Sequence, residues 1–151
     1  MSETPETDLP VQFRSATVDD IHDVCDFLEY FMEHQQVLRR TPEQIASLLQ
    51  YSNIASCGEQ IVGFVAVEIY SHKLAEIQCL CVDPSYQRKG IGKELVRYCV
   101  DVARDEGILE LMAISASEHF LMDCGFDYSL PGQKRALFIQ PQEVGAEETE
   151  D

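Results

Sequence analysis

Residues 82–95 read Val82-Asp83-Pro84-Ser85-Tyr86-Gln87-Arg88-Lys89-Gly90-Ile91-Gly92-Lys93-Glu94-Leu95. The order is a strand end, a turn, a basic loop with two glycines, and the opening of a helix. Such a segment leaves backbone N–H groups without partners at a helix N-terminus, where the dipole also favours negative charge. Gly90 and Gly92 allow an anion close to the backbone, and Arg88, Lys89, Lys93 and Arg97 put four of the chain's eleven cations within ten residues. Phosphate is the guest this chemistry suits. A Walker loop would need glycine where Gln87 stands, and a dinucleotide fingerprint would need a third glycine where Leu95 stands. The competing reading is a solvated basic first turn.

Outward from this loop, the pattern indicates one α/β domain. Val11–Ala16 reads as a strand. Thr17 then precedes a helical spacing of Ile21, Val24, Cys25, Leu28, Phe31 and Met32. Thr41-Pro42-Glu43-Gln44 is a capping box with proline at the first helical position, predicting a helix over 42–49. Runs at 54–57, 61–70 and 75–82 predict an antiparallel meander, with residues 58–60 as a turn. Ile91, Leu95, Tyr98, Cys99 and Val102 line one face of a long helix that ends at Gly107. A strand at 108–114, a short helix at 117–124 and a terminal strand pair ending near Ile139 complete a mixed, mostly antiparallel sheet flanked by helices.

The 151 residues include 27 Asp and Glu against 11 Lys and Arg, a formal net charge of −16. That balance argues against nucleic acid and anionic membrane partners. Glu3, Glu6 and Asp8 at one end, with Glu143, Glu147, Glu148, Glu150 and Asp151 at the other, hold eight of the sixteen excess negatives. Residues 1–10 and 141–151 are therefore expected to be flexible acidic tails around a domain over 11–140. The N-terminus has neither a basic start nor an apolar run, and no stretch reaches membrane-spanning length. Six cysteines sit in apolar stretches without a Cys-x-x-Cys, and four histidines are scattered. A cytoplasmic, metal-free protein is expected.

Gln87-Arg88-Lys89-Gly90-Ile91-Gly92 resembles the Q/R-x-x-G-x-G/A pyrophosphate loop of the GNAT acetyl-coenzyme A N-acetyltransferases. The preceding Cys81–Tyr86 and the later Gly125-Phe126 match signatures of that family in turn. The resemblance covers about residues 11–140. It implies acetyl-CoA as co-substrate, held by Cys81, Val82, Gln87, Arg88, Lys89, Gly90, Ile91, Gly92 and Lys93. It also implies direct attack by an amine, with the Cys81 or Val82 backbone N–H near the thioester carbonyl.

Within that superfamily the chain is similar to the acetyltransferase domain of bacterial N-acetylglutamate synthases. Val37–Gln44 is similar to the L-x-R-S-x-E-x-L segment of those enzymes, and Glu76-Ile77-Gln78-Cys79 to an E-x-x-C strand start. The resemblance implies that Arg40 holds a substrate carboxylate, Glu76 acts as general base and the Cys79 backbone lines the amine site. Ser117 matches a serine that protonates the leaving sulfur, and it equally suits a helix N-cap. Leu121 stands where many superfamily members have a tyrosine acid, leaving Ser117, His119, Tyr128 or water for that role. Cys79 and Cys81 read as small buried hydrophobes rather than nucleophiles.

Residues 137–143 carry neither Arg nor Ser, whereas the synthases end this domain with an Arg-x-Ser segment. One expected glutamate contact is therefore absent, but with Arg40 to meet a carboxylate and half of the excess negative charge in the tails, the small-molecule amine acceptor is expected to be an amino acid such as glutamate. A polyamine or protein amine, suited to the acidic surface, is the competing acceptor. A non-catalytic acetyl-CoA-binding module is the alternative from another class. A homodimer is expected by analogy alone.

Overall fold

The computed structural model describes residues 9–114, 118–128, 137, 139, 141 and 142. They fall in two compact units divided after Ser115. The first carries strands β1 (Val11–Ser15), β2 (Ser52–Cys57), β3 (Gln60–Ile69), β4 (Leu74–Val82) and β5 (Glu110–Met112). Its helices are α1 (Ile21–Glu33), α2 (Pro42–Ala46) and α3 (Ile91–Asp105). The strands lie in chain order; the first four are antiparallel, and β5 runs parallel to β4. The second unit carries α4 (Glu118–Asp123). The expected terminal strand pair falls largely on residues outside those described. Among the described residues no helix is long and apolar enough to cross a membrane.

The meander follows from its turns and its alternation. β2 and β3 are joined by the two-residue turn Gly58-Glu59, and only Gly58 has positive φ (61°), as a type II′ turn requires. On one sheet face, Ile54, Phe64, Ala66, Cys79 and Cys81 join Val24, Leu28, Phe31 and Met32 of α1 and Ile45 of α2 in a buried cluster. The other face takes α3. A methyl group on Gly63 would lie 3.1 Å from Leu95 and 3.2 Å from Ile91, so the helix rests almost on the β3 backbone.

The capping box at Thr41 forms in both directions, from Gln44 N–H to Thr41 Oγ1 (3.2 Å) and from Thr41 N–H to Gln44 Oε1 (2.8 Å). The helix it starts ends at Ala46 rather than at residue 49. Ser47 donates its hydroxyl back to the Gln44 carbonyl (2.6 Å), and the chain leaves through a 3₁₀ turn at Leu49–Tyr51. The strand expected over 108–114 is confined to Glu110–Met112, because Ile108 closes the end of α3 by donating to Ala103 O (2.9 Å) behind left-handed Gly107.

Arg14 on β1 forks Asp20, which precedes α1, with two 2.8 Å contacts, and Asp20 also accepts the Thr17 N–H at 2.8 Å. The guanidinium beside it, opposed by partial burial, holds the Asp20 carboxyl below the usual carboxylate range. Because the folded value is depressed, this stabilisation is present above the unfolded value near about pH 4 and fades as pH falls further. Asp20→Asn should therefore cost about 1 kcal/mol at pH 7, allowing for the half-exposed Arg14, and distinctly less near pH 2, where part of that advantage is already gone. Urea unfolding of both proteins at the two pH values checks this; an equal deficit at both would refute it.

Candidate active site

The site begins with an interrupted ladder. β4 pairs with β3 along its length, whereas β5 pairs with it only where Leu74, Ala75 and Glu76 meet Glu110, Leu111 and Met112. From Ile77 to Val82 the outer edge of β4 has no strand partner among the described residues. At the far end Asp83 donates to Val62 O (2.8 Å), so the alternation of the ladder turns the Cys81 N–H toward β3 and the Val82 N–H toward the open edge. A bulge lies between: Cys81 faces Phe64 and Gln78 faces Ala66, leaving Cys79 and Leu80 opposite Val65. Cys79 takes φ 56° there, a left-handed conformation costing a non-glycine residue about 1 kcal/mol.

Beyond the open edge Asp83 caps a single 3₁₀ turn, accepting the Ser85 N–H at 2.8 Å, and Gln87 donates to the Val82 carbonyl at 3.3 Å. Arg88 (φ 65°) and Gly90 (φ 83°) then bend the backbone into the start of α3. Gly90 is the N-cap and offers no side chain to the helix; the first return bond runs from Glu94 N–H to Gly90 O, 3.2 Å. The N–H groups of Ile91, Gly92 and Lys93 thus lack intrahelical acceptors. Among the described residues, a Cβ on Gly90 would meet nothing within 4 Å. Tyr86 and Ile91 are buried anchors, while Gln87, Arg88, Lys89 and Gly90 are exposed. Lys89 lies 5.1 Å over the Tyr86 ring, and Arg97 pairs with Glu94 at 3.4 Å. Among the described residues, Arg88 and Lys93 have no carboxylate within 4 Å.

A polar cluster occupies the sheet face that bears α1 and α2. Glu68 on β3, Tyr70 just past its end, and Glu76 and Gln78 on β4 share it, with Glu68 directly opposite Glu76. Arg40 reaches in from the segment before α2, its backbone N–H donated to Met32 Sδ (3.3 Å) and its guanidinium to Gln78 Oε1 (2.6 Å). Arg39 instead pairs with Glu29 on α1 (3.2 Å). The two adjacent arginines therefore have different tasks. Arg40 keeps further N–H donors on a planar fork suited to a carboxylate. The Gln78 amide and the Tyr70 hydroxyl both contact Glu76 Oε1, at 3.0 and 2.6 Å.

Burial pushes the Cys79 thiol up against the opposing pull of Arg40, and burial with the neighbouring Cys79 pushes Cys81 up further. Both stay protonated near neutral pH, which disfavours a cysteine nucleophile. Ser117 lies outside the described residues. Sequence reasoning missed Glu68, Tyr70 and Gln78. Their signal was parity, since Glu68-x-Tyr70 and Glu76-x-Gln78 put polar groups at alternate positions of two otherwise apolar strands.

The family model for the acetyltransferase (GNAT) family matches residues 16–126. An uncharacterized N-acetyltransferase of Chlorobaculum tepidum is 28% identical over 113 residues, covering 75% of this chain and 73% of its own length. An amino-acid acetyltransferase of Aeromonas salmonicida is 27% identical over 133 residues, covering 84% of this chain, which spans only 30% of that protein. Among solved structures, N-acetylglutamate synthase from Neisseria gonorrhoeae, complexed with coenzyme A and N-acetyl-glutamate, superposes with a TM-score of 0.72 at 23% identity. The match covers 94% of this chain and 33% of the synthase. At that identity the likeness is one of fold. An open-edged fourth strand, an uncapped helix start behind a basic glycine loop, and a family match across most of the chain lead to one conclusion: this chain belongs to the GNAT acetyltransferase family.

Proposed function

We propose that this N-acetyltransferase carries the acetyl group of acetyl-CoA to the primary amine of an amino acid, by direct attack in a ternary complex. The observation that carries this reading is the Arg40–Gln78–Glu76 chain, in which one amide separates a carboxylate-binding guanidinium from a carboxylate base. An α-amino acid has its carboxylate and amine separated by a single carbon. It can therefore engage Arg40 while its nitrogen lies toward Glu76.

The residues fit the co-substrate. The first-turn N–H groups of α3, with Arg88 and Lys93, suit a pyrophosphate, and the open edge of β4 offers strand-like hydrogen bonds to an extended amide chain. Acetyl-CoA supplies an acyl group already activated as a thioester. Glu76 accepts the proton of the attacking nitrogen, directly or through a water. The Val82 N–H donates to the negative charge that develops on the carbonyl oxygen. Ser117 is the side chain we assign to giving a proton to the departing sulfur, a weak base that can also leave unaided. The facing carboxylates Glu68 and Glu76 support a second reading, a polyamine or protein amine as acceptor.

Thiol release from acetyl-CoA, with glutamate, other amino acids, polyamines and a basic peptide as parallel acceptors, tests the reading. Release with an amino acid supports it; release with polyamine or peptide alone selects the second reading. Arg40→Met should raise KM for the amino acid about 100-fold and leave KM for the matching amine without a carboxylate unchanged. An equal rise for both would remove Arg40 from the acceptor site. Glu76→Gln should lower kcat about 100-fold or more while acetyl-CoA affinity holds.

Gly90→Val puts a β-branched residue at φ 83° and should abolish CoA binding by titration calorimetry. Arg88→Ala, at an exposed position, should weaken CoA binding about tenfold with the far-ultraviolet spectrum unchanged. Unaltered affinity in both variants would show that this loop does not hold the pyrophosphate.

A further inference from the structure

The cluster around Glu76 holds more polar contacts than it has hydrogens to fill. Tyr70 Oη lies 2.6 Å from Glu76 Oε1 and 3.1 Å from Glu68 Oε2; Gln78 Nε2 lies 3.0 Å from the former and 3.1 Å from the latter. These four contacts close a ring, crossed by a longer one from Gln78 Nε2 to Tyr70 Oη (3.4 Å). Arginine can only donate, so Arg40, 2.6 Å from Gln78 Oε1, fixes the amide with its NH₂ toward the carboxylates. The NH₂ fills two edges of the ring. The phenol's single hydrogen fills a third, leaving a carboxylate facing the phenol oxygen with no hydrogen between them. Glu68 and Glu76 are also direct cross-strand partners, an arrangement that disfavours two full negative charges.

We infer that Tyr70 and Glu68 are positioning residues that clear the base: a proton accepted by Glu76 passes through the Tyr70 hydroxyl to Glu68. This rests on the reading of Glu76 as base. Once Glu76 holds the proton it becomes the donor, and the phenol turns its hydrogen to the remaining carboxylate, Glu68. In the shift, the Glu76 O–H bond breaks as a new O–H bond forms on Tyr70. The original Tyr70 O–H bond breaks as one forms on Glu68. Glu76 is again a carboxylate, and Glu68, partly exposed, returns the proton to water. No electrons change hands and no co-reactant is needed. Desolvation first, and then the two carboxylates, push the Tyr70 hydroxyl well above its ordinary range, so the relay hydrogen stays in place across neutral pH. Among the described residues, the charged and titratable groups facing the ring are Glu68 from β3 and Tyr70 just past it, Glu76 and Cys79 from β4, and Arg40 from the segment before α2.

The test is the pH profile of kcat/KM for the acetyl acceptor in the full chain and in Tyr70→Phe, Glu68→Gln and Glu76→Gln, with each fold verified by circular dichroism. Phe removes a donor from Glu76, so the acid limb should move to higher pH and kcat should fall about tenfold. Gln at 68 removes the second charge and fills the vacant edge with an N–H, so the acid limb should move to lower pH while kcat also falls. Opposite displacements would distinguish the relay from a packing role, which scales the rate equally at every pH. If Glu76→Gln is impaired while the other two profiles superimpose on the parent after scaling, the relay is overturned and the base stands. If Glu76→Gln matches the parent, or the parent transfers no acetyl group, the base assignment falls and the relay with it.

Discussion

The rest of the site depends on a hydrogen-bonding vacancy, the loss of strand pairing on one side of β4 after Glu76 among the described residues. A sheet interior normally satisfies both edges of every strand, and unpaired N–H and C=O groups are a liability unless something covers them. Here β5 pairs for three residues and then leaves. A run of main-chain donors and acceptors is thereby left without a strand partner among the described residues. The same strand is held firmly from the other side by β3 and carries buried residues at every second position. The open edge is consequently rigid, as a donor aimed at a developing charge needs to be.

Backbone strain marks the ends of this edge. Two of the three non-glycine residues with positive φ, Cys79 and Arg88, lie in the bulge and the phosphate-type loop, and Gly90 adds a third left-handed turn. The bulge re-aims β4, while the loop exposes the first N–H groups of α3. Both are anchored by apolar packing: Cys79 and Cys81 in the cluster under α1 and α2, Tyr86 and Ile91 beneath the loop. Packing on both faces holds conformations that the local sequence alone would disfavour.

In the polar cluster the organising element is the Gln78 amide, which couples a cation to an acidic pair without a direct ion pair between them. A guanidinium bonded straight to Glu76 would hold that carboxylate ionised and occupied. Through the amide, Arg40 orients the donors around Glu76 and keeps other N–H groups of its own. Arg39, one residue earlier, has its charge committed to Glu29, so two identical neighbouring side chains are given different partners.

The sequence by itself determined the element order, the capped start of α2, and the basic glycine loop opening α3. Each depends on neighbours a few residues apart: Thr41 with Gln44, Asp83 with Ser85, Gly90 with the helix after it. It also marked Arg40, Glu76 and Val82, although it left Val82 and Cys81 as equals. Only the tertiary structure decided between those two, because whether an N–H points to β3 or to the open edge follows from cross-strand register. The same register set Glu68 opposite Glu76 and brought Tyr70 and Gln78 around them. The early end of α2 and the short β5 were likewise decided by bonds that close behind the element, at Ser47 and Ile108. Local periodicity determines where strands and helices lie; which main-chain groups remain unpaired depends on partners distant in the chain.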